Sequence, residues 1–187
     1  MSLFQFLIFA SLQVAGSSTP VPAQAGTTCI LDQLAPQERR ELGDGLVANE
    51  LMSDKDHARV DQIVADCAGR LGLTDTEKED ALFGTLTSLI VERSGARLAE
   101  AGVPPELLDA WFDKQSPELR SDLERRVPET ETDARLESLL AAMEGDGIPS
   151  ETVRQHAHLV VLYLRSRSLL YRLENGLSLS EQIPPAH

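Results

Sequence analysis

The chain has 187 residues, 17 of them basic and 30 acidic, for a formal net charge of −13. That length calls for one hydrophobic core rather than several. The acidic excess excludes free nucleic acid as a partner, since binding a polyanion draws on Lys and Arg in quantity.

The first element is an apolar stretch of 13 residues from Leu3 to Ala15, followed by Gly16-Ser17-Ser18, two prolines and the small-residue run Ala23-Gln24-Ala25. This is the pattern of a signal peptide, expected to span residues 1–25 and to be removed after Ala25. A permanent anchor would need about 20 apolar residues, so none is expected. Met1 to Phe6 holds no Lys or Arg, which departs from the basic start such signals carry. Two cysteines follow, Cys29 and Cys67. An even pair in an exported chain reads as a disulfide, so the expected location is a bacterial periplasm or the medium outside the cell.

Beyond residue 25 the pattern is helical throughout, without the alternation of apolar and polar residues that marks a strand. A helix is expected from Pro36, a favourable first-turn residue, to about Met52. Ser53 is an N-cap with Asp54 and Asp56 behind it, and Val60, Ile63, Val64 and Cys67 share one face. With almost no loop between them, these two helices should fold into an antiparallel hairpin that brings Cys67 back beside Cys29. Thr74-Asp75-Thr76-Glu77 is a capping box. Its helix carries Ala81, Leu82, Leu86, Leu89 and Ile90 and meets an interruption at Ser94-Gly95. Pro104-Pro105 starts a short helix, Ser116-Pro117-Glu118 another that stops at Val127-Pro128, and a further one ends at Gly145-Asp146-Gly147. A long final helix from Pro149 to Glu174 is apolar on most sides, the mark of a central element.

The expected fold is therefore all-α. It is a compact bundle of six or seven helices with one disulfide-linked hairpin over residues 26–177, and residues 178–187 form a flexible tail.

The catalytic spacings G-x-S-x-G, H-E-x-x-H and C-x-x-C, and the phosphate-binding loop, are all absent from the chain. No cofactor is implied. Asp54, His57 and Asp61 fall at i, i+3 and i+7 and could together hold a metal, although acidic residues opening a helix account for the same pattern. Leu107, Leu108, Trp111 and Phe112 form the densest apolar cluster on a short helix. That cluster is a candidate partner-binding anchor, or else the means by which the helix stays on its core. The functional expectation is a non-enzymatic binding or protein-interaction module. The alternatives are a carrier of a small apolar or lipid-like ligand between Leu162, Leu169 and Leu173, and a hydrolase using clustered carboxylates.

Overall fold

In a computed structural model that describes residues 22–124, 129–148 and 150–178, every regular element is an α-helix, nine in all among those residues. They are α1 (Pro22–Gln33), α2 (Pro36–Val47), α3 (Asp54–Leu71), α4 (Asp75–Glu100), α5 (Pro105–Lys114), α6 (Pro117–Glu124), α7 (Glu129–Gly145), α8 (Ser150–Gln155) and α9 (Ala157–Glu174). The count exceeds the expected six or seven because α1 was not foreseen and because the final helix breaks at His156. Residues 1–21 of the expected signal peptide, the stop at Val127-Pro128 and tail residues 179–187 lie outside the described residues.

Local chemistry sets the helix ends. The Glu38 carboxylate accepts from the Ala35 backbone N–H at 2.7 Å, in front of Pro36. Asn49 adopts φ 56° and ends α2, with its N–H on Leu46 O and the Glu50 N–H on Gly45 O. Ser53 caps α3 by accepting from Asp56 N, and Gly72, at φ 66°, closes it. The Thr74–Glu77 capping box forms in both directions, with Glu77 N–H donating to the Thr74 hydroxyl and Thr74 N–H to the Glu77 carboxylate.

The spine is α4, whose 26 residues run without a break through Ser94 and Gly95 for about 39 Å at 1.5 Å per residue. It joins α1, α2 and α3 around Ile30, Leu34, Val60, Ile63 and Leu89. Its C-terminal half joins α5, α7, α8 and α9 around Leu98, Trp111, Phe112, Leu140 and Leu164. The final helix, expected to occupy the middle, instead packs along one side of α4 as its largest neighbour.

Close approach between helices depends on small residues. A methyl group at Gly26 would stand 2.6 Å from the Ala81 Cβ, and one at Gly84 would stand 2.6 Å from Leu173 Cδ2 and also overlap the Thr27 hydroxyl. That hydroxyl lies 3.1 Å from Ala23 O and 3.2 Å from Ala81 O, tying α1 to α4. Arg93 and Arg97 of α4 both donate to the Asp44 carboxylate of α2, at 2.8 Å each.

The expected hairpin needs correction. α3 lies against α1 and touches α2 only lightly, because α2 ends at Val47 and the chain turns through residues 48–53 before α3 begins. The disulfide therefore joins α1 to α3, two helices that are not consecutive.

Candidate functional site

The two cysteines are bonded, with Cα atoms 6.0 Å apart and 38 residues of separation. Cys67 is fully buried and Cys29 partly exposed. Two donors flank the sulfurs. Gln33 Nε2 lies 2.9 Å from Cys67 Sγ, and an Arg70 guanidinium nitrogen lies 2.9 Å from Cys29 Sγ and 3.4 Å from Cys67 Sγ.

Leu108, Trp111 and Phe112 belong to the core rather than to a surface, with Trp111 only 2% exposed. Phe112 meets the Tyr171 ring edge-on at 6.0 Å, and the Arg120 guanidinium sits over both rings. Only Leu107, 46% exposed, faces outward. The cluster thus serves to fix α5 on α9.

Asp54, His57 and Asp61 are all exposed along α3. Among the described residues no group of three or more His, Cys, Asp or Glu side chains is placed to hold a metal ion. Glu77 is used in the capping box, and hydrogen bonds from the Thr74 backbone and hydroxyl hold its carboxyl below the usual range, which suits an anion rather than a proton donor. Leu173 is buried against Ala23, with Phe83 and Leu169 packed around the pair. Three arginines of the last two helices are engaged by the protein's own acids, Arg154 with Glu137 at 2.6 Å, Arg167 with Glu174 at 3.3 Å and Arg172 with Glu124 at 3.0 Å, whereas Arg165 is exposed.

One feature was not anticipated. An open groove of about 400 Å³ runs between the C-terminal half of α4 and the start of α5. Its walls are Val91, Ala96, Ala99, Pro104 and Pro105, and Tyr163 of α9 closes the floor. The groove exists because α4 presents no large side chain there. A methyl group at Gly95 would stand 3.2 Å from the Tyr163 ring and 3.5 Å from Pro105. Glu92 and Glu106 are its two carboxylates. The Tyr163 hydroxyl donates to Asp109 at 2.9 Å, and burial together with that carboxylate pushes the phenol above its ordinary range, so it stays neutral. Asp109 is in turn 3.5 Å from Arg167. The result is a largely apolar trough that carries two carboxylates, with the Tyr163 hydroxyl held on Asp109.

The signal in the sequence was a run of small residues, Gly95, Ala96 and Ala99, followed by Pro104-Pro105. Read as an interruption and a helix start, it gave no hint of a shared surface. Among the described residues no helix is long and apolar enough to cross a membrane. No protein-family model matches the chain, and no curated protein or solved structure matches it either, so the site is read from its own geometry.

Proposed function

We propose that the chain is an exported, non-enzymatic binding module. Its α4–α5 groove takes a short protein segment that carries an aliphatic side chain beside a Lys or Arg. The observation that carries this reading is the combination of an apolar trough with Glu92 and Glu106 as its only charged lining groups. A segment of that composition would bury its aliphatic group against Val91, Ala96 and Pro105 and place its cation by a carboxylate, giving affinity and orientation together. The overall charge of −13 favours approach of a basic partner.

Titration with 12-residue peptides tests it, observed through the methyl resonances of Val91, Ala96 and Ala99. A Leu-Lys peptide should shift these signals, and the shift should vanish in Ala99→Trp and weaken in the double variant Glu92→Lys, Glu106→Lys. No methyl shift at millimolar peptide would refute the reading. The carrier alternative draws little support, because Leu169 and Leu173 pack on Ala23 and Phe83.

Export is supported by the Cys29–Cys67 bond, which reducing compartments do not keep closed. The intact mass of native material tests both export and processing. Cleavage after Ala25 would remove Pro22–Ala25 from α1, including Ala23, which is buried against Leu173.

A further inference from the structure

We propose that the Cys29–Cys67 disulfide is a thiol–disulfide exchange site, opened at Cys29 by low-molecular-weight thiols. It is distinct from the groove.

The case begins with the donors on the sulfurs. Arg70 reaches Cys29 Sγ at 2.9 Å and Cys67 Sγ at 3.4 Å, and Gln33 reaches Cys67 Sγ at 2.9 Å. A disulfide sulfur is a weak, neutral acceptor and gains little from a guanidinium. A thiolate in the same place gains a charge-assisted hydrogen bond and a counter-ion. The cation is therefore worth more to the opened pair than to the closed one. Among the described residues Arg70 forms no ion pair with a carboxylate, so its charge is available to the sulfurs.

Access decides which sulfur is attacked. Cys67 is 0% exposed and Cys29 is partly exposed. An incoming thiolate forms its bond to Cys29 Sγ, the Sγ–Sγ bond breaks, and its electron pair goes to Cys67, where Gln33 and Arg70 receive the new thiolate. A second thiolate attacks the small-molecule sulfur of the mixed disulfide. This releases the Cys29 thiolate beside Arg70 and a symmetric small-molecule disulfide, so two thiols supply the two electrons. The bundle persists through both steps, because Ile30 and Leu34 remain in the core and Thr27 still holds α1 to Ala81.

Equilibration of the full chain with reduced and oxidised glutathione at fixed pH, followed by alkylation and mass measurement, tests the proposal. Arg70→Ala should shift the equilibrium toward the closed disulfide about three- to tenfold, tenfold being about 30 mV for a two-electron couple. Arg70→Lys should restore most of the loss. The trapped single adduct should map to Cys29, and circular dichroism should show the helices retained in the opened protein. Equal equilibria for wild type and Arg70→Ala would overturn the proposal, as would an adduct on Cys67 or opening only under denaturing conditions. Arg70 is exposed, so its replacement leaves the core intact.

Discussion

Gly84→Ala probes a close crossing at which α1 and α9 both meet α4. The added methyl carbon would lie 2.6 Å from Leu173 Cδ2 and overlap the Thr27 hydroxyl, whereas non-bonded carbons prefer about 3.5–4.0 Å. In a helix interior alanine is favoured over glycine by about 1 kcal/mol, so propensity alone predicts a gain. Overpacking a filled site costs about 1–3 kcal/mol, and displacing Thr27 from Ala81 O forfeits a hydrogen bond of about 1 kcal/mol. The net expectation is a loss of about 1–3 kcal/mol. Gly69→Ala is the matched control, because no atom lies within 4 Å of its added methyl and only the propensity gain of about 1 kcal/mol remains. Urea unfolding followed by helical circular dichroism should place the Gly84→Ala midpoint below wild type and the Gly69→Ala midpoint above it, at equal slope. If both substitutions stabilise equally, the helices do not approach as closely as described and the small-residue reasoning fails.

Cys67→Ser should lower the stability of oxidised protein by about 4 kcal/mol, the loop entropy released by a 38-residue separation, as measured by denaturant unfolding with and without reductant. Glu124 is buried, and its carboxylate accepts from Arg172 at 3.0 Å and from the Ser168 hydroxyl at 3.0 Å, so Arg172→Leu alone should cost about 3–5 kcal/mol. Adding Glu124→Leu should recover much of that loss, and a double variant no better than the single one would show that the ion pair is not the cause. Hydrogen bonds from Arg93, then Arg97, hold the Asp44 carboxyl below its ordinary value. The folded value being the lower one, this contribution is complete above the unfolded carboxylate value of about 4 and disappears as the pH falls through the folded value. Acid titration of Asp44→Asn should accordingly show a shallower loss of stability below about pH 4 than wild type.

How far the fold can be read from the chain depends on the kind of residue involved. Ser53 and the Thr74–Glu77 box work as expected because caps are local hydrogen-bonding devices that need no knowledge of the rest of the fold. The cysteine pairing was legible for a similar reason, although the hairpin argument behind it was not. α1 was obscured because its buried face is built from Ala23, Gly26, Thr27 and Ile30, three of them too small to register as an apolar stripe. The same blindness split α4 at Ser94-Gly95, where the small residues are a contact surface for Tyr163 and Pro105 and not a break. Asn49 ended α2 early through a left-handed backbone, which residue type permits but does not dictate. Trp111 could not be assigned to core or surface from composition, since both uses select the same side chains. The groove was least legible of all, being defined by missing volume on one helix opposite two prolines on the next.

A single helix forms a wall of both cores, and this has a bearing on cooperativity. Leu89 belongs to the cluster with Ile30 and Ile63, whereas Leu98, on the same rod, belongs to the cluster with Phe112 and Leu164. Melting either half strips apolar cover from a rod on which the other half depends, so the two share one transition rather than behaving as separable lobes. The amides of α4 should therefore exchange with solvent chiefly through opening of the whole molecule, and hydrogen exchange is expected to find its central residues among the slowest.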